Sequence, residues 1–258
     1  MKHTAVYSTI LVSAVAAAMF TACRGNICGP AEESYCGHIE ISGTLKSDVS
    51  DGTAKGTAEG FEIPSAEDFA LTIEGGDGYY RKWESVAAFN AEYPYIPKGE
   101  YTVTINSGEV QNEGFGMPCF KGSAQAAVRP RKTESVTVTA RIVNSLIVIE
   151  CTGRFASYFP ESEFTVTTAG GGCFTTQLPM QGPLFVSPDG SVEVVCTARK
   201  QTGEEVTFPA QTIDSPAPQT RYTLRYDVEQ AGGTILKITL NDDVEEEIEI
   251  DAELNEYI

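Results

Sequence analysis

The sequence predicts an all-β protein: two tandem β-sandwich domains, immunoglobulin-like or transthyretin-like, behind an export signal. Three observations carry that prediction. From about residue 38 onward, apolar and polar residues alternate with a period of two, as in strands with one buried face. No segment beyond the apolar N-terminus keeps a helical period over a typical helix length. Finally, DFALTIEGG at residues 68–76 recurs without gaps as EFTVTTAGG at 163–171, an offset of 95 residues. That offset is close to the size of one sandwich, about 100 residues.

The first 22 residues read as the signal. Lys2 and His3 make a short polar start, and Thr4 to Ala22 carry no charge. The apolar core, Ile10 to Phe20, has the length of a signal-peptide core and is short for a membrane span. Thr21 and Ala22 stand directly before Cys23, and F-T-A-C resembles the lipobox of bacterial lipoproteins, with Phe20 where Leu is usual. The resemblance implies cleavage before Cys23 and acylation of that cysteine, and several acyl chains anchor a protein stably. The expected division is 1–22 signal peptide, 23–37 lipidated tether, 38–143 N-terminal sandwich and 144–258 C-terminal sandwich.

Within the first sandwich, HIEISGTLKS alternates as a strand, and residues 47–66, small, polar and Gly-rich, read as a long exposed loop. FALTIEG and YYRKWESV are strands around a GGDG turn, with Trp83 as core anchor. AAFNAEYPY has room for one helical turn, and PKGEYTVTI is a turn leading into a strand. ESVTVTARIVNSLIVIECT holds two strands joined near Asn144 and Ser145. SVEVVCTAR, EVTFPAQTI, RYTLRYDVE, TILKITL and EEIEIDAEL continue the rhythm, broken at SPDG, QTGE, DSPAPQ, EQAGG and NDD.

Charge and chemistry narrow the function. The 258 residues carry 18 basic and 36 acidic side chains, net −18. Loss of Lys2 with the signal leaves 17 basic against the same 36 acidic residues. Such a balance argues against nucleic acid, whose binding is driven by Lys and Arg, and equally against adhesion to an anionic bilayer through a basic patch. His38 is the only histidine after the signal, so a Ser-His-Asp or Cys-His set is not expected. The spacings of Cys23, Cys28 and Cys36 do not match paired zinc knuckles. If Cys23 is acylated, six cysteines remain in an oxidising compartment, an even number that suits disulfides; Cys28 with Cys36 is the natural local pair. Cys151 and Cys196 fall on apolar strands and read as small buried residues. NDDVEEE at 241–247 lacks the glycine and spacing of a calcium loop. No metal and no cofactor are expected.

Two features remain as candidate contact sites. The aromatic residues Tyr79, Tyr80 and Trp83, with Tyr93, Tyr95 and Tyr101 nearby in sequence, suit either a sugar-stacking platform or core packing. The loop GEVQNEGFGMP, residues 108–118, offers Phe115 and Met117 to a partner.

Several motifs in order, GTLKS, DFALTIEGGDG, the pair Lys82–Trp83, IPKGEYTVTINSG, PCFKGS, VTVTARIVNSLIVIE, RYTLRYDVEQAGGTILKITL and EEEIEID, are together similar to a family of lipoproteins from Gram-negative gut anaerobes. The family is built on a tandem β-sandwich domain of unknown function, loosely fimbrillin-like. The resemblance covers residues 38 to 254 and implies two sandwiches on a lipid anchor at the outer membrane. It supplies no reaction. Relatives displayed on the cell surface often carry acids directly after the lipid cysteine; here Arg24, Gly25 and Asn26 follow, leaving surface and periplasmic display both open. The expectation is therefore a non-catalytic cell-envelope lipoprotein serving as a surface adhesion or interaction module. Its partners would be the membrane, through the anchor, and a protein or glycan. A glycan-binding accessory protein and a pilus subunit assembled by strand exchange are the alternatives.

Overall fold

The computed structural model describes residues 35–51, 54–57, 61–75, 78–230, 234–240 and 243–250. The signal, Cys23 and Cys28 lie outside these residues, as do the side chains of the 241–247 acidic run.

The first half runs β1 (Cys36–Lys46), β2 (Asp48–Asp51), β3 (Ala54–Thr57), β4 (Ala70–Gly75), β5 (Tyr79–Trp83), α1 (Val86–Glu92), β6 (Ile96–Pro97), β7 (Gly99–Ser107), β8 (Gly114–Phe115), β9 (Phe120–Val128) and β10 (Thr133–Ile142). Strands β5-β4-β7-β9 form an antiparallel layer, and β10-β1-β6 form the facing one, with β1 parallel to β10. The two layers join where Phe120 and Lys121 pair Ile142 and Arg141. There Gly122 lets the strands cross: a Cβ on it would come within 2.2 Å of the Thr139 carbonyl oxygen. Alternate residues of each layer point inward, so Leu71, Ile73, Val103 and Ile105 meet Ile39, Ile41, Val136 and Val138 in one buried core.

Two stretches differ from the sequence expectation. The Gly-rich segment contains a hairpin, β2–β3, and its Phe61 packs against the first core. In place of one turn, α1 has seven residues, capped by Ser85, whose hydroxyl accepts from the Ala88 N–H, and closed by Tyr93 in a left-handed conformation.

The second half runs β11 (Ser145–Cys151), α2 (Gly153–Tyr158), β12 (Glu161–Thr168), β13 (Cys173–Thr176), β14 (Leu184–Val186), β15 (Val192–Arg199), β16 (Glu205–Thr207), β17 (Gln211–Ile213), β18 (Arg221–Gln230), β19 (Thr234–Leu240) and β20 (Asp243–Ile250). Its connectivity repeats that of the first half. β11 is parallel to β18 as β1 is to β10. β12 lies between β13 and β15 as β4 lies between β5 and β7. β14 pairs the start of β11 as β6 pairs the start of β1. The sequence echo at 68–76 and 163–171 thus falls on equivalent strands. A second core forms around Phe155, Phe164, Val194, Leu224 and Tyr226.

The seam between the halves is buried and hydrogen-bonded. The Asn144 side-chain oxygen accepts from the Cys119 N–H at 2.5 Å, and its backbone carbonyl accepts from Gln219 N–H at 2.9 Å. Ser145 donates its hydroxyl to the Ala217 carbonyl at 2.8 Å. Short strand β8 leaves the first half to pair β14. Along β14, Leu184 and Val186 belong to the second core while Phe185 points into the first, where it meets Phe61 edge-on at 5.0 Å.

Candidate functional site

The aromatic trio of β5 does not form one platform. Alternation along the strand sends Tyr79, Arg81 and Trp83 to one side and Tyr80 and Lys82 to the other. Trp83 is buried, packs edge-on against Phe89 at 4.8 Å, and donates its indole N–H to Glu92 at 2.7 Å. Arg81 lies over its ring and bonds the other Glu92 oxygen at 2.5 Å. Tyr79 is half-buried, edge-on to Tyr101 at 5.4 Å, and burial raises the pKa of its phenol. Only Tyr80 is open, with Lys82 above its ring. Core packing, not a sugar surface, accounts for Trp83.

The 108–118 loop is also not a free display loop. Phe115 in β8 is half-buried against the second core, edge-on to Phe174. Glu113 bonds the Thr168 hydroxyl at 2.5 Å and the Ser187 N–H at 2.8 Å, tying the loop to the β12 and β14 ends. Met117 stays exposed and lines one shallow pocket with exposed Ile63.

The structure gathers a different set of side chains where the chain enters the fold. Cys36 is buried and disulfide-bonded, while Cys119, Cys151, Cys173 and Cys196 are free, so its partner lies outside the described residues. Around it His38 stacks on Tyr93 at 4.0 Å and tilts against Tyr95 at 4.3 Å, and its Nδ1 meets the Pro94 carbonyl at 3.0 Å. The Tyr93 hydroxyl pairs with Thr133 at 2.9 Å. The 129–132 turn closes over this strand start: Arg131 N–H donates to the Cys36 carbonyl, and His38 N–H to that of Lys132. Lys98 N–H donates to the Tyr35 carbonyl, and its ammonium lies 5.6 Å from the Tyr35 ring centre. Lys98, Arg131 and Lys132 are exposed, and their backbones meet at this strand start. Net charge is a sum over the surface, and folding redistributes it.

The two outer edges of the parallel pairs end differently. On β1, the Asn90 amide donates to the Ile41 carbonyl at 2.8 Å and accepts from its N–H at 3.2 Å, standing in for a neighbouring strand. On β11, β14 pairs only residues 145–147. Beyond them the Ile149 N–H meets the Met180 sulfur at 3.0 Å, a weak acceptor. There a groove of about 990 Å³ opens between β11 and the sheet of β12 and β15, lined by Ile149, Cys151, Phe159, Glu163, Met180 and Arg199. The groove sits in the half of β11 away from the seam. Its thiol is no nucleophile at neutral pH: burial pushes Cys151 well above the usual thiol range, and Cys196 behind it up to about 12. Among the described residues, no cluster of His, Cys, Asp or Glu is placed to hold a metal ion.

A family model described as Domain of unknown function (DUF4493) matches residues 38–256. The chain belongs to that family. No curated protein matches this DUF4493 chain. Solved structures do. It is similar to a candidate cell adhesion protein from Bacteroides fragilis, at 11% identity and a TM-score of 0.44 over 81% of this chain and 98% of the other. A fimbrial assembly protein from Parabacteroides distasonis matches at 9% identity and 0.44 over 80% and 98%. A candidate polysaccharide-binding protein from Bacteroides thetaiotaomicron matches at 9% and 0.42 over 84% and 99%. These likenesses are too loose to carry a function across.

Sequence reasoning did not single out Asn90, Met180 or the rim of Lys98, Arg131 and Lys132. Its only signals were the RPRK turn at 129–132 and the tyrosines of AEYPY at 91–95, segments distant in sequence that folding brings together at the start of β1.

Proposed function

We propose that the protein is a non-catalytic cell-envelope interaction module, held at the outer membrane by acyl chains on Cys23, which takes a protein or glycan partner in the groove beside β11. The observation that carries this reading is the head-to-tail order of the fold. The chain enters at the Cys36 end of the first half, and the open groove lies beyond the seam in the second half. An anchored protein so built presents this groove away from the anchor. Cys28 is the expected partner of Cys36, pinning the tether to β1. Membrane fractionation of cells carrying Cys23→Ala tests the anchor: the variant leaves the outer membrane fraction, and unchanged retention with normal processing refutes it. Met180→Lys tests the groove on a glycan array and in adhesion assays, where loss of binding is expected and full binding counts against it.

The outer edge of β11 beyond Ile147, which no strand pairs among the described residues, favours a second reading, in which a strand from another copy adds to that edge during pilus assembly. It predicts SDS-resistant ladders from native cells, and monomers alone speak against it.

A further inference from the structure

We propose that the rim formed by Tyr35, Tyr93, Tyr95, Lys98, Arg131 and Lys132 is a docking surface for an anionic phospholipid bilayer, so that this end of the first half lies against the membrane. The inference rests on the anchored reading for the direction in which the tether leads.

The rim is one continuous surface. The backbone bonds from Lys98 to Tyr35 and from Arg131 to Cys36, and the side-chain bond from Tyr93 to Thr133, join three segments distant in sequence. Tyr35, Tyr93 and Tyr95 are 60%, 46% and 43% exposed, and they are three of the six large apolar side chains left exposed among the described residues. Half of that exposed apolar material therefore sits within one rim. Tyrosine, apolar in the ring and polar at the tip, suits the boundary between headgroup and hydrocarbon.

The cations point the same way. Lys98, Arg131 and Lys132 have no ion pair among the described residues, as is true of Lys82, Lys121, Arg141 and Arg154, but these three stand together at the rim. Glu134, the acid beside the turn, is held by Arg129 through two bonds of 2.6 and 2.9 Å and is also near enough to feel Lys132. Unpaired cations near an anionic leaflet are attracted to it within a Debye length. Two of the rim residues, Tyr93 at φ 48° and Arg131 at φ 57°, occupy the left-handed region that favours Gly or Asn.

The tether supplies the occupant. Cys23 stands 13 residues before Cys36, so an extended chain between them spans at most about 45 Å. A Cys28–Cys36 bridge shortens that reach to about 25 Å. Either length brings the rim within contact of the surface that holds the acyl chains. A glycan is the weaker occupant, because His38 already covers one face of Tyr93 and leans on Tyr95, and Lys98 sits over Tyr35.

The test uses the acylated full chain in vesicles of phosphatidylcholine, alone or mixed with phosphatidylglycerol, read by flotation and by backbone hydrogen exchange. Exchange at 93–98 and 129–133 slows several-fold on the mixed vesicles, and high salt reverses the slowing. Each cation contributes roughly fivefold to affinity for such a surface, so Lys98→Glu with Arg131→Glu and Lys132→Glu returns exchange to its rate on neutral vesicles. Trp83 fluorescence reports that the variant is folded. Equal exchange on both vesicle types by a protein that floats overturns the docking surface and leaves the anchor standing. Failure to float with either vesicle overturns both. Slowing of the same peptides by soluble oligosaccharide, with none on mixed vesicles, overturns it in favour of a glycan.

Discussion

Phe185 tests how the two halves are joined. It sits on β14, between Leu184 and Val186 of the second core, yet its fully buried ring fills the first core against Phe61. Phe185→Ala removes that ring and leaves a cavity, at a cost of about 3–5 kcal/mol. Trp83 is the sole tryptophan and lies in the same first core, so its fluorescence reports that core's unfolding. With a urea slope of about 3 kcal/mol per molar, the Trp83 midpoint falls by about 1–2 M. Leu184→Ala, one residue away, strikes the second core and serves as the control; far-UV circular dichroism follows both cores. The reasoning is refuted if Phe185→Ala leaves the Trp83 midpoint in place while shifting the circular-dichroism transition. That outcome would mean that the ring belongs energetically to the half that carries its backbone.

Four further predictions follow from single contacts. Asn90→Ala removes both bonds to Ile41 and bares the β1 edge, costing about 1–3 kcal/mol in thermal unfolding and raising light scattering, whereas an unchanged melt contradicts the edge-cap role. Glu113→Ala, which leaves Thr168 and Ser187 without their carboxylate, costs about 2 kcal/mol by urea titration, and Glu113→Gln less. Trp83→Phe loses the bond to Glu92 and lowers stability by about 1 kcal/mol, while any glycan binding is unaffected because the indole is buried. Burial raises the folded pKa of Cys196 from 9.0 to about 12, and moves Cys151 and Tyr226 upward as well. The unfolded chain therefore loses these protons first. Their stabilisation is intact below pH 9.0 and is lost as pH rises towards about 12, by roughly 1.4 kcal/mol per pH unit for each cysteine, with Tyr226 adding to the slope only above its ordinary 10.0. A urea midpoint that stays flat across that window, or a Cys196→Ala variant with the same slope, would contradict this assignment.

Much of the fold was legible because strand alternation is a local signal. Ile39 and Ile41, Leu71 and Ile73, and Val192 and Val194 each write the buried face of a strand directly into the sequence. The repeat at 68–76 and 163–171 was legible for the same reason, and it lands on the equivalent strands β4 and β12. The site was less legible. Tyr79, Tyr80 and Trp83 are close in sequence, but strand geometry splits them between two faces. Phe115 reads as an exposed loop residue and nothing local marks Phe185, and only β8–β14 pairing places one on the second core and the other inside the first.

By itself, then, the sequence determined the class of fold, the repeat and the expectation of a lipid-anchored, exported protein, because periodicity, motif and composition are properties of neighbouring residues. Tertiary structure decided which edges are covered and which charges are neighbours. Asn90 closes β1 from 49 positions away, Met180 meets Ile149 from 31 positions away, and the rim draws on residues 35, 93–98 and 129–133. Contacts at such separations are set by strand pairing and layer packing across the whole chain, and a local pattern carries no record of them.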